Sequence, residues 1–113
     1  MVSMNQVQKG LMKYIDNDVL PHLTGMKRVG LGIYSGLAAQ NFGAMVEKYK
    51  DHPAVSVLNV IDDNGNVDID KLYKAAAPMF SSGERHTISI PLIGDMTVDR
   101  SDLEKLYQYI KEG

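Results

Sequence analysis

The chain has no cysteine and no tryptophan. Without thiols there is no disulfide framework, no thiolate metal centre and no cysteine nucleophile. An excess of either charge is missing too: 12 basic and 14 acidic side chains leave a formal −2. That balance gives no field to gather nucleic acid or an anionic membrane surface. The densest charged cluster (Glu47, Lys48, Lys50, Asp51) cancels itself, so no nucleic-acid partner is expected. The opening MVSMNQVQKG lacks a basic segment followed by an apolar one, so it does not read as a secretory signal. Met4 offers a second start for translation, or a ragged end. With 44% apolar and 23% charged residues, the 113-residue chain has the composition of one globular domain with one core.

What is present in quantity is an uncharged run, VGLGIYSGLAAQNFGAMV, from Val29 to Val46. Its length sits at the lower limit for crossing a bilayer. Ser35, Gln40 and Asn41 in its middle, with several glycines, argue instead for a buried helix, and no membrane partner is expected. Gly32-x-x-x-Gly36, continued by Ala39 and Gly43, makes a ridge nearly bare of side chains, along which another backbone can approach closely. These four residues are the candidate interface. The partner helix is either another part of this chain or a second copy, which would make a homo-oligomer; the residues leave both open. Gly30-x-Gly32-x-x-x-Gly36 is not a dinucleotide fingerprint, because the third glycine is one place late and no strand precedes it.

Periodicity predicts helices over about 4–20, 25–50, 53–60, 69–80 and 100–112, with a hairpin over about 86–98. The second, about 38 Å long, exceeds what one compact domain needs, so it is either broken near its glycines or projects in part onto another copy. Met4, Val7, Leu11, Tyr14 and Ile15 share one face of the first helix, which Pro21 stops. Gly10 weakens it by about 1 kcal/mol relative to alanine. Thr24 is the expected cap of the second, whose first turn carries Lys27 and Arg28 against the dipole. AVSVLNVI after Pro53 reads as helix by spacing and as strand by β-branching. Asn64-Gly65 marks a tight turn. Asp68 and Asp99 each cap a helix bearing Lys-Leu-Tyr. Thr87–Ile90 and Asp95–Val98 alternate around a Pro91-Leu92-Ile93-Gly94 turn, with Leu103, Leu106, Tyr107 and Ile110 spaced to cover the hairpin. The fold class expected is α+β, mainly helical, with one small antiparallel hairpin near the C-terminus.

Motifs that would carry chemistry fail on spacing. Asp62–Asp70 has the look of a calcium loop, but setting Gly65 sixth puts Val60 first and Lys71 last. His22, His52 and His86 lie far apart, without metal-ligand spacing. The serines sit in no nucleophile elbow. Asp95, Asp99 and Glu84 are explained as turn and cap residues rather than a two-carboxylate site. The six tyrosines fall at packing positions on helices. No catalytic residue, cofactor or metal ligand is assigned, and no enzyme is expected.

Three segments carry a resemblance: the acidic turn into Val67-Asp68-Ile69-Asp70-x-Leu72-Tyr73, the Ile88-x-Ile90-Pro91-x-Ile93-Gly94 hairpin, and the ending Thr97-Val98-Asp99-x-Ser101-Asp102-Leu103-x-x-Leu106-Tyr107-x-Tyr109-Ile110. In these the C-terminal half resembles a family of small uncharacterised proteins of prophages and phages of Gram-positive bacteria. The resemblance implies a phage setting, as a minor virion or accessory component in the bacterial cytoplasm or the virion. It carries over no site residue. The expected function is that of a non-enzymatic, self-associating protein. The alternative is a module that docks a host or phage protein through the 29–46 helix.

Overall fold

Ser3 accepts a hydrogen bond from the Gln6 amide at 3.1 Å and so starts the first helix, α1, Met4–Tyr14. The computed structural model describes residues 1–81, 83–90 and 94–113; Ser82 and the expected Pro91-Leu92-Ile93 turn lie outside them. The expected helix over 4–20 is not regular throughout. It widens into a π turn over Ile15–Val19 and tightens into a 3₁₀ turn over Leu20–His22. Pro21 has no amide to give, and the chain reaches it by changing the hydrogen-bond step.

The expected 25–50 helix is two helices, α2 over Gly25–Gln40 and α3 over Phe42–Tyr49. Asn41 divides them with φ −103° and ψ 8°, and both its amide and its side-chain Nδ2 donate to the Leu37 carbonyl, at 3.2 and 2.9 Å. A side chain that bonds its own backbone this way competes with the helical ladder. Among the described residues, no helix is long and apolar enough to cross a membrane. The 53–60 segment is helical only in α4, Pro53–Ser56, and ends where Asn59 takes a left-handed φ of 51°.

The turn and caps follow the residues that demand them. Asp62 Oδ1 accepts from the amides of Asn64 and Asn66 at 2.9 and 2.8 Å, and Gly65 has φ 80°. Asp68 caps α5, Ile69–Ala76, which runs on as a 3₁₀ turn over Ala77–Met79. Asp99 and Asp102 form a reciprocal capping box at the start of α6, Arg100–Glu112. Between α5 and α6, strands β1, His86–Ile90, and β2, Gly94–Val98, pair antiparallel with Ile88 opposite Met96. The whole is a mainly helical α+β fold.

Val19 and Leu31 are buried at the core, with Tyr14, Ile15, Leu20, Leu23 and Met96 packed around them. Val60, Val67 and Ile69 are also buried, and Val67 bridges to both Val2 and Ile61. Along the seam between α1 and α6, Gly10 is buried against Ile110. A Cβ built on Gly10 would stand 2.8 Å from both the Cα and the N of Ile110. Gln6 Nε2 donates to the Ile110 carbonyl beside it at 2.7 Å. The glycine read as a weak point of α1 is thus where two backbones meet. The last helix does not lie over the hairpin alone. Leu103 and Leu106 line a cleft with Val98, Ile110 faces α1, and the Tyr107 ring meets that of Tyr73 of α5 at a 43° tilt, centroids 4.7 Å apart.

Candidate functional site

In α2, Leu31 and Ser35 are buried, and Ala38 and Ala39 are half-buried beside them, so these residues form the inner face. The Ser35 hydroxyl is satisfied within the helix by the Gly32 carbonyl at 3.1 Å. Gln8 of α1 clips this face in place by donating to the Ala39 carbonyl at 3.1 Å. A narrow apolar cleft of about 240 Å³ remains between the two helices, lined in part by Leu11, Ile15, Leu31, Ala38 and Phe42.

The opposite face is as apolar as the inner one. Met26 is 84% exposed, Val29 56%, Ile33 61% and Leu37 55%. Steps of three and four residues put these side chains in one stripe, with Gly36 along its edge. A helix that is apolar all round belongs in an interior, yet no part of the described chain covers this side. The surface of the whole molecule is large for its mass. Its accessible area is 7590 Å², against about 6,200 Å² for a folded monomer of this mass. The excess is about 1,400 Å², while a standard protein interface takes roughly 800 Å² from each partner.

Of the four candidate interface residues, a Cβ added at Gly32, Gly36 or Gly43 would meet nothing within 4 Å. Packing of this ridge against another helix of the same chain, one of the two alternatives left by the sequence, is therefore removed for these glycines. Ala39 lies on the inner face, and Gly43 belongs to α3 beyond the break at Asn41. The structure does not bring the four together as one continuous strip. Gly43 opens instead on a second cleft with Val46, Glu47, Lys50, Asp51 and the 61–65 turn. There Glu47 accepts from Lys50 at 3.0 Å, and that bond holds the ammonium above its usual pKa. Sequence reasoning weighed the small residues of the run and passed over its large exposed ones, although their helical spacing was readable.

The carboxylates weighed as a possible site, and His86, have local structural partners. Glu84 accepts from the Ser81 hydroxyl at 2.5 Å, Asp95 from Ser89 at 2.7 Å, and Asp99 caps α6. The Ser81 bond holds Glu84 below the usual carboxylate range, and the Asp102 amide does the same for Asp99. His86 bonds the Met79 carbonyl at 2.7 Å and meets Phe80 edge-on. Among the described residues, no group of three or more histidines and carboxylates is gathered as a metal would need. Comparison with protein-family models, with curated proteins and with solved structures finds no match to this chain.

Proposed function

We propose that this chain is a non-enzymatic protein that associates with itself through the outer face of α2, as a minor virion or accessory component of phage or prophage origin. The observation that carries the association is the uncovered stripe of Met26, Val29, Ile33 and Leu37 on a helix whose other side is already packed. The phage setting rests on the resemblance of the C-terminal half alone. Assigning no chemistry fits the work the acidic side chains already do, as caps, turn locks and helix clamps.

Light scattering on the concentrated protein tests the association. The wild type is expected above monomer mass, and Gly36→Leu shifts it toward monomer. Because nothing lies within 4 Å of a Cβ at Gly36, the substitution leaves the fold of one chain intact. A monomer at every concentration, unchanged by Gly36→Leu, removes the reading. If that monomer still needs Ile33 to hold a host or phage protein, the docking alternative takes its place.

A further inference from the structure

We infer that the π turn after α1 is a one-residue insertion that latches α2. It turns Asp18 toward α6 and Val19 toward α2, so that the ties of Asp18 to α6 also keep α2 in place. The latch concerns the inner side of α2 and stands whether or not the outer side meets a second copy.

An α-helix turns about 100° per residue. Seen down α1, Gly10 then stands about 40° to one side of Tyr14, against Ile110 of α6. Leu11 and Ile15 stand about 60° and 100° to the other side, in the cleft against α2. Continued without a break, the helix would put Asp18 about 40° toward Leu11 and Val19 about 140° round, off the packed face. A carboxylate would enter the apolar cleft and a valine would leave it. The Leu20 amide donates instead to the Ile15 carbonyl, five residues back, so one residue more fits into the turn. Side chains after the insertion fall back by about 100°. Asp18 comes round beside Gly10, where its Oδ1 meets Lys105 Nζ of α6 at 3.4 Å and the Tyr109 hydroxyl donates to it. Val19 comes round beside Leu11, where it is buried with Leu31 of α2. The other oxygen of Asp18, Oδ2, is buried and has no partner among the described residues. An oxygen so placed is unfavourable, and the backbone turn is what sets it there.

Hydrogen exchange on the dilute protein, read helix by helix, tests the latch. Deleting Asp16, which is exposed, takes the extra residue out. The bond from Leu20 to Ile15 then becomes an ordinary four-residue step, with Asp18 and Val19 on the same faces as before. That shortened chain is expected to fold and to protect α2 as the wild type does. Deleting the equally exposed Lys9, in the regular part of α1, swings the faces on its two sides apart by about 100° and is expected to lower the urea midpoint sharply. Deletions of equal effect overturn the insertion. Asp18→Ala removes the tie to α6, while Lys105, half-exposed already, returns to water. The α2 amides are expected to exchange on the order of tenfold faster. Those of α6, still joined to α1 at Gly10 and Ile110, are expected to stay as they were. Unchanged α2 amides, or a rise shared equally by α1, α2 and α6, overturn the coupling of Asp18 to α2.

Discussion

Two glycines on neighbouring helices have opposite surroundings. At Gly10 a side chain would press into the backbone of Ile110, so Gly10→Ala gains helix propensity but forces α1 away from α6. The gain is about 1 kcal/mol, and overpacking of this kind costs about 1–3 kcal/mol. Net destabilisation of about 1 kcal/mol is expected in urea unfolding. Gly36→Ala meets nothing within 4 Å and is expected to leave one chain unchanged or stabilise it by up to about 1 kcal/mol. Acid sensitivity also has a residue-level origin. Asp70 accepts from the Tyr107 hydroxyl and pairs with Lys111 Nζ at 3.2 Å, and these partners, Tyr107 first, hold its carboxyl below the usual 3.8. A depressed folded-state pKa contributes stability above the unfolded value and loses it as pH falls through the folded one. The urea midpoint is therefore expected to fall below about pH 4, and to fall less steeply in Asp70→Asn.

At the scale of elements, the capping box of α6 is the most exposed to test. Asp99 and Asp102 exchange bonds of 2.9 and 3.2 Å with each other's backbone, and Asp99→Ala is expected to cost about 1 kcal/mol in thermal or urea unfolding. Such ends were readable in the sequence because one side chain and one amide decide them. Asp68, Asp99, Gly65 and Pro21 act within a few residues of themselves. The breaks at Asn41 and Asn59 were not readable in the same way. Asparagine also sits comfortably in helices, and its choice to bond the Leu37 carbonyl or turn left-handed depends on what the next segment must reach. The tight meeting of α1 with α6 involves partners a hundred positions apart. A hint was nevertheless there, since Gly10 stands three residues after Val7 and four before Tyr14, on the packed face.

For the whole molecule, the sequence singled out α2 but not the large apolar residues that stand exposed on it. The small residues of the uncharged run drew attention to close approach, whereas the structure leaves exposed Met26, Val29, Ile33 and Leu37 on the side away from the core. Which side of an evenly apolar helix faces inward is fixed by Leu31 meeting Val19, a contact that no local pattern announces. The radius of gyration is 14.4 Å, against roughly 13 Å usual for this length. Sedimentation of the wild type across a dilution series, beside Ile33→Asp, puts self-association directly to measurement. The account predicts a mass rising from 12.5 kDa toward twice that value as concentration increases, with Ile33→Asp held at the lower figure. A wild-type mass that stays at 12.5 kDa up to about millimolar protein contradicts it.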